Sequence, residues 1–553
     1  MSNEELVRGV KTFFRGEIHN ESAVLDTYSR DASLLKVRPA LVLFPRDATD
    51  IARLVEYVAR EKGSHPELSI TARAAGTCMS GGSLNESIIL DVTKFMTGVI
   101  KVDEGAKTAT VLPGTYYRDF EKLTLSKGLV MPSFPASKDL CAVGGMVGNN
   151  AGGERTLSYG KTEDYIESLK IILSDGKEYL IKTLSRSELE SKLAQQDFEG
   201  ELYRKMFKLV TENEAKLKEA KPKVSKNSAG YYLWNVWNSN DQTFNFCKLI
   251  VGSQGTLGIV TEITFRLVPI RKISKLLVIF LKDLSPLAKL VNELLPLKPS
   301  SIESYDDNTI KLALRFWWGI MKAMKAKRFF KLITSFIPEV SFLIRGGLPK
   351  LVVLAEFSGD DEAEIDRSLA AAAKHVTSLG LMNRATKTEE EASKYWTIRH
   401  ESFNLLRQHV KGKRTAPFVD DIVVRPEFLP EFLPKLITIL DQYHLWYTIA
   451  GHAGDGNFHI IPLMGPAELQ NKKVITEVSD LVYDLVATYH GSITAEHNDG
   501  IIRTPYLGKI FSPEILDLFR ETKNIFDPLN LFNPGKKVGG SIEYLTTHLS
   551  PTV

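Results

Sequence analysis

Two histidines and a nearby carboxylate are the residues of this chain most suited to chemistry. His452 and His459 stand at the two ends of Gly451-His452-Ala453-Gly454-Asp455-Gly456-Asn457-Phe458-His459, with apolar runs on either side. Asp455-Gly456 is a strong two-residue hairpin signal, because both turn positions require positive φ. A turn closing there pairs Gly454 with Asn457, Ala453 with Phe458 and His452 with His459. Opposed residues have Cβ atoms about 4.5–5.5 Å apart on one face, so the two imidazoles could share a metal ion. The alternative is a polar hairpin whose histidines are simply exposed. Further on, Thr494-Ala495-Glu496-His497 follows the helix-like run 474–489 and Gly491. In an extended segment neighbouring side chains point to opposite faces, which would place one of Glu496 and His497 on the metal and the other beside it. Two imidazoles and one carboxylate, with positions left open for substrate, make a common catalytic metal set. On its own the second stretch also reads as a surface Glu-His pair.

These side chains need a scaffold of more than one domain, and the 553 residues are enough for two or more. Hydrophobic content of 43% and charged content of 25% are those of an ordinary globular protein, and a net charge of +3 gives no argument for nucleic acid. Cys78, Cys141 and Cys247 lie far apart, which argues against an iron–sulfur cluster or thiolate zinc site and fits a reducing compartment. The N-terminal MSNEELVRGVKTFF has acids and no apolar core, unlike a signal peptide. No apolar run approaches the ~20 residues of a spanning helix, so a cytoplasmic location, in peripheral contact with the inner face of a membrane at most, is expected.

Along the chain, 1–37 reads as a polar helical segment. A strand at 39–45 precedes a helix capped by Asp47 or Thr49, with Ile51, Leu54, Val55 and Val58 on one face. Between strands at 68–73 and 87–91 lies Ala-Ala-Gly-Thr-Cys-Met-Ser-Gly-Gly-Ser83, either a nest of backbone amides for an anion or a tight structural loop. It has neither the Walker lysine nor the G-x-G-x-x-G spacing. A second loop, 142–153, packs five glycines into twelve residues, and a third runs from Val251 to Thr261. Glycine is entropically costly in such density, so backbone must closely approach something. Three such loops among short strands suit an elongated, phosphate-bearing cofactor. After Pro269, strand-like 276–280 and 351–357 alternate with helix-like 287–295 and 363–375, as expected of an α+β sheet with helices on one face.

These loops resemble those of FAD-linked oxidases, the superfamily of vanillyl-alcohol oxidase and p-cresol methylhydroxylase. The residues that carry the likeness are Arg73-x-x-Gly-Thr-x-x-Ser-Gly-Gly82, Val143-Gly-Gly145 with Asn150-Ala-Gly-Gly153, Gly252-Ser-Gln-Gly-Thr-Leu-Gly-Ile259, and Phe526-Asp-Pro528 through Asn533-Pro-Gly-Lys536. Gln254 replaces the usual Glu. The resemblance implies an α+β fold: a two-part PCMH-type FAD-binding domain at 38–270, a cap or substrate domain with an antiparallel sheet at 271–500, and a segment at 501–553 returning to the flavin. It implies FAD contacts from Arg73, Gly76, Thr77, Cys78, Ser80, Gly81, Gly82 and Ser83. Others are expected from Pro135, Gly144, Gly145, Asn149, Asn150, Gly152, Gly153, Gly255, Gly258, Ile259 and Asn533. Thr77 stands where covalent members carry histidine, so the FAD is expected to be non-covalent.

The C-terminal motifs are similar to those of D-2-hydroxy acid dehydrogenases acting on D-lactate, glycolate or D-2-hydroxyglutarate. Gly451–His459 matches their metal motif in full, and Glu496-His497 matches Glu-His-Gly with Asn498 in place of glycine. By this resemblance His452, His459 and Glu496 hold zinc or manganese, His497 is the base, and Arg399 of Trp396-Thr-Ile-Arg399 binds the substrate carboxylate. The alternative for Arg399 is a helix-surface arginine. Phe403, Val419 and Ile461 stand where dicarboxylate enzymes carry polar groups, which favours a monocarboxylate such as D-lactate, unless Lys413 or Arg414 reaches in. Electrons would pass to a quinone or an electron-transfer protein. The superfamily's non-redox ether-lipid branch and a flavin scaffold with decayed chemistry are the alternatives. The 312–347 insertion is a departure: Arg315–Lys331 carries six basic residues, no acid, and interleaved Trp and Phe. That composition suits an interfacial membrane segment or a partner surface, although Lys327 and Lys331 fall beside the apolar stripe.

Overall fold

The computed structural model describes residues 1–315, 347–409 and 412–550, with the side chains of 312–315 and 401–409 outside that description. The basic-aromatic run expected at a membrane or partner surface, and Phe403 with it, therefore lies outside the described side chains. Among the described residues no helix is long and apolar enough to cross a membrane.

The N-terminal part begins with a small sheet ordered Glu17–His19, Leu41–Phe44, Ile88–Asp91, Ile70–Arg73, whose last three strands run parallel. Parallel strands need crossovers with a face to bury. Here Asp47 accepts the N–H groups of Thr49 and Asp50 and starts the helix Ala48–Glu61, which buries Ile51, Leu54, Val55 and Val58. The first glycine loop joins Ile70–Arg73 to Ile88–Asp91 at the C-terminal end of the former strand. A seven-stranded sheet follows, in which Ile259–Arg266 lies antiparallel to both Ile166–Ile172 and Thr108–Val111. Its first residues emerge from the third glycine loop, so one strand fixes that loop against the other two.

The second half is built on an eight-stranded sheet with antiparallel neighbours throughout. Ser301–Asp306 sits centrally, between Leu351–Gly359 and Trp446–His452. One face packs on Leu287–Leu294 and Glu362–Ser378 through Leu277, Ile279, Val353, Leu290 and Leu369. Helices are not confined to that face. The opposite one, carrying Leu276, Val278, Tyr305 and Leu354, is covered by Tyr395 and Trp396 of the helix Glu389–His409. This second cover places Arg399 over the sheet.

The hairpin between Trp446–His452 and Asn457–Met464 departs from the expected register. His452 pairs with Asn457 and Ala450 with His459, so the connection has four residues. Ala453–Asp455 form one 3-10 turn, and Gly456 alone takes positive φ, at 69°. A Cβ there would lie 1.8 Å from the Val424 carbonyl oxygen, so glycine is required by space as well as by φ. The slip is by two places, and a slip of two preserves the face on which each side chain sits. His452 and His459 thus become diagonal neighbours, with ring centroids 5.3 Å apart.

Candidate active site

The three glycine loops converge on a cleft with about 860 Å³ of empty space. Its wall includes Arg73, Gly76, Thr77, Cys78, Gly82, Ser83, Gly144, Gly145, Asn149, Gly255 and Gly258. A Cβ added at Gly145 or Gly255 would meet nothing closer than 3.4 Å, so side chains there would project into the space itself. Backbone laid bare in this way suits a flat, phosphate-linked ligand such as FAD. Arg73 is held beneath the first loop, where its Nη2 donates to the Arg30 carbonyl at 2.8 Å and its guanidinium lies over the Tyr28 ring.

The remaining expected cofactor residues stand behind the wall or at its end. Asn533 donates from Nδ2 to the carbonyls of Gly82 and Gln254 and accepts from Thr71, tying the first loop to the third. Ile259 is buried in the adjoining core, and the backbone of Gly81 packs on Leu35. Asn150 ends the short helix Val143–Asn149 in left-handed conformation, and Pro135 lies against Gly153. Gly152 faces elsewhere: a Cβ on it would lie 3.3 Å from Glu496 Oε2. The second loop therefore runs from the cleft directly to the carboxylate and imidazole cluster.

In that cluster Glu496 Oε1 lies 3.2 Å from His452 Nε2 and 3.5 Å from His459 Nε2. Each opposite ring nitrogen is bound to a carboxylate. His452 Nδ1 meets Glu303 Oε1 at 2.6 Å, and His459 Nδ1 meets Asp420 Oδ1 at 3.1 Å. With carboxylates on both Nδ1 atoms, both Nε2 atoms are turned toward Glu496, the orientation that metal-ligating histidines require. His497 shares the second oxygen of Asp420, with Nδ1 2.7 Å from Oδ2, and its ring stacks on His459 at 4.9 Å. Arg399 joins from the sheet's far cover, its Nη2 3.3 Å from Glu303 Oε2. All five expected groups are thus brought together: His452, His459, Glu496, His497 and Arg399.

The segment bearing Glu496 and His497 is curled, and the expectation that their side chains diverge from an extended chain does not hold. Backbone N–H groups of Ala495, Glu496 and His497 all donate to Asp421 Oδ2, at 2.9, 2.9 and 2.7 Å. The Thr494 hydroxyl adds a fourth bond to that oxygen. Ligand atoms of Asp421, His459, Glu496 and His497 also lie within 4.8 Å of one another. With Oδ2 so fully engaged and Oδ1 bonded to Asn457, Asp421 organises the loop, and His452 would be the better third ligand for an ion.

Charge accounts for the protonation of the cluster. Burial would depress His459, but the charge of Asp420 and hydrogen bonds to Asp420 and Glu496 raise it to about 10. Burial likewise opposes protonation of His452, and the pull of Glu303 outweighs it. Burial would raise Glu496, yet Lys226 and His452 hold it well below the carboxylate range. Lys226 is fully buried, 3.2 Å from Glu496 Oε2 and 3.3 Å from Asp455 Oδ2. Two imidazole nitrogens facing one carboxylate, each ring backed by a further buried carboxylate, form a donor set that a divalent cation fits.

Sequence reasoning did not identify Glu303, Asp420 or Lys226. The Asp420-Asp421 pair was a signal of sorts, but Glu303 lies in an ordinary strand and Lys226 is one of five lysines between positions 216 and 226. Lys413 and Arg414 do not reach the cluster: Lys413 binds Glu468, and Arg414 donates to the Ser33 carbonyl. Asn498, where glycine is usual, has φ of 68° and donates from Nδ2 to the carbonyls of Asn149 and Gly252.

The chain belongs to the FAD-linked oxidases. Residues 39–181 match the FAD binding domain family, and residues 271–537 match the FAD linked oxidases, C-terminal domain family. It is 28% identical over 544 residues to a D-2-hydroxyglutarate dehydrogenase of Pseudomonas putida, covering 96% of this chain and 52% of that one. It is 27% identical to the glycolate oxidase subunit GlcD of Bacillus subtilis, over 92% of this chain and 91% of that one. The chain thus spans about half the length of the D-2-hydroxyglutarate dehydrogenase and most of GlcD. Among solved structures, 4-ethylphenol oxidase from Gulosibacter chungangensis superposes with a TM-score of 0.67 at 14% identity, covering 98% of this chain and 99% of that one. At that identity the likeness shows the fold alone: a PCMH-type FAD-binding fold combined with an antiparallel cap sheet.

Proposed function

We propose that this protein oxidises a D-2-hydroxy acid to the 2-oxo acid, using non-covalent FAD and a divalent ion, with D-lactate favoured as substrate. The observation that carries this reading is the single loop joining the flavin cleft to the imidazole cluster. Ser80 of the first glycine loop donates to the His497 carbonyl, and Gln254 of the third accepts the Gly500 N–H, while Glu496 stands between the two imidazoles. When bound, the two cofactors supply hydride acceptance at flavin N5 and acidification of the substrate hydroxyl.

His452 Nε2, His459 Nε2 and Glu496 would hold the ion. Asp420 keeps the proton of His497 on Nδ1, so Nε2 is left to take the hydroxyl proton as general base. Arg399, steadied by Glu303, offers a planar fork to the substrate carboxylate. Val419, next in sequence to Asp420, and Ile461, two places after His459, are buried and apolar. Apolar residues at these positions favour the methyl group of lactate over a second carboxylate, whose desolvation would go unmatched. The relatives named above are a D-2-hydroxyglutarate dehydrogenase and a glycolate oxidase subunit, so the leaning to D-lactate rests on these apolar residues. Electrons then leave to a quinone or a protein acceptor.

The test is anaerobic flavin bleaching by D-lactate, L-lactate, glycolate and D-2-hydroxyglutarate, with metal analysis of the same sample. D-lactate should bleach fastest, and bound zinc or manganese should approach one per chain. Failure of every 2-hydroxy acid to bleach the flavin would overturn the reading, and faster bleaching by D-2-hydroxyglutarate would overturn the lactate assignment.

A further inference from the structure

Glu303 is a carboxylate in the middle of a sheet, on a strand whose every residue is buried. Burial of an unpaired charge there would be strongly unfavourable, and both of its oxygens are in fact engaged. The register pairs Ser304 with Gly451 and Tyr305 with Ala450, so one further step sets Glu303 directly across from His452. Tyr305, two residues on and therefore on the same face, packs beneath the helix that bears Arg399. One carboxylate thus lies between a neighbouring strand and a covering helix. Oε1 is 2.6 Å from His452 Nδ1, and Oε2 is 3.3 Å from Arg399 Nη2.

We infer that Glu303 is a positioning residue that sets the metal ligand His452 and the substrate-binding Arg399 from one side chain, so that ion and substrate carboxylate are held in fixed relation. The inference rests on the function proposed above. Through Oε1 it fixes the Nδ1–H tautomer of His452 and turns the Nε2 lone pair toward Glu496. Through Oε2 it holds the Arg399 guanidinium, the group assigned above to the substrate carboxylate. A glutamine of the same shape cannot do both. Its amide offers one acceptor and one N–H₂ group, so either His452 or Arg399 faces a donor where it needs an acceptor.

The test compares Glu303→Gln, Glu303→Asp and Arg399→Lys in full-length holoenzyme, reading D-lactate KM and kcat, Zn²⁺ affinity by chelator competition, and flavin content. Glu303→Gln is expected to weaken Zn²⁺ binding about 10–100-fold, the range for loss of an outer partner of a metal histidine, and to raise KM at least as much as Arg399→Lys does. Arg399→Lys should raise KM and leave Zn²⁺ affinity unchanged. Glu303→Asp, one methylene shorter, keeps the charge but not the span and should recover one of the two losses. If Glu303→Gln retains both Zn²⁺ affinity and KM, or changes only one, the dual role is overturned. Should Glu303→Gln fail to load flavin, Glu303→Asp decides: an unchanged Zn²⁺ affinity together with an unchanged KM overturns it. Zn²⁺ affinity is read without turnover, so inability of the wild type to oxidise any 2-hydroxy acid would sink the proposed function while the metal arm still reports on Glu303.

Discussion

Replacing Asp420 by Asn tests the shared-carboxylate geometry most directly. Asp420 is fully buried and accepts from two imidazoles at once, one on each oxygen. Its carboxyl is disfavoured as an anion by burial, but His497 and His459 pull it well below the usual range. Asparagine keeps one acceptor and turns an N–H₂ group toward the other imidazole. That ring must then leave or carry its proton on Nε2, where His459 should present a lone pair to the ion and His497 should receive the substrate proton. Hydrogen bonds to charged groups contribute about 1.5–3 kcal/mol each, so losing the ionic character of both costs about 3–6 kcal/mol. At about 1.4 kcal/mol per factor of ten, flavin reduction should slow by about 10²–10⁴. The assay is anaerobic stopped-flow reduction by saturating D-lactate, with bound metal measured on the same sample. Flavin loading should be unaffected, since Asp420 does not line the cleft. A variant that kept full metal and reduced its flavin within about threefold of the wild-type rate would refute the argument.

Four further outcomes follow from this and neighbouring contacts. In metal-stripped protein, burial works against a charged His459 but Asp420 holds its pKa at about 10, above the ordinary value of about 6.5. Its contribution to stability is full below about pH 6.5 and is lost as pH rises to about 10; Tm should fall across that window by more than in Asp420→Asn, and equal slopes would count against the pairing. Over the same range Zn²⁺ affinity should climb, because the ion competes with that proton. Lys226→Met leaves Glu496 and Asp455 buried without their cation, so urea denaturation should show a loss of about 3–5 kcal/mol, the scale for breaking a buried pair; a loss under about 1 kcal/mol would mean those carboxylates find other partners. Asn498→Ala should be less stable than Asn498→Gly, because both lose two bonds to carbonyls but only alanine also strains at positive φ; the reverse order in thermal melts would discredit that account.

The four residues His452, His459, Glu496 and His497 were legible because short motifs encode them locally. Their relative placement was less so. A two-residue turn at Asp455-Gly456 misjudged the pairing by two, because Ala453–Asp455 form a 3-10 turn that only tertiary contact with Val424 explains. The conclusion that the imidazoles meet survived because a slip of two keeps side chains on their face. The curl at Glu496 was hidden for a different reason. It is imposed by Asp421, about seventy residues earlier, whose oxygen gathers three successive amides. Glu303 and Lys226 were hidden for the same reason: an acid in a strand and one lysine among several in a basic stretch acquire meaning only from partners far along the chain. The glycine loops were readable since backbone approach leaves a compositional mark. That the end of the second loop would face Glu496 depended on packing, and no spacing rule conveys it.

Asn498 and Gln254 both depart from the family motifs, and in the structure they complement each other. Asn498 Nδ2 donates to the Asn149 carbonyl, and Gln254 Nε2 donates to the Asn149 side chain. Gln254 Oε1 accepts the Gly500 N–H, so the two close the loop around one residue of the cleft wall. Such coordinated contacts do not support reading these residues as decay. Energetics adds a second argument against a scaffold without chemistry. Glu303, Asp420 and Glu496 are buried carboxylates, and taking an ion out of water costs several kcal/mol even after relaxation. An apolar packing of similar volume would hold the same fold at lower cost. Retention of three anions around two imidazoles, beside a glycine-lined cleft, makes sense where a dication and a substrate anion are to be held in register with a flavin.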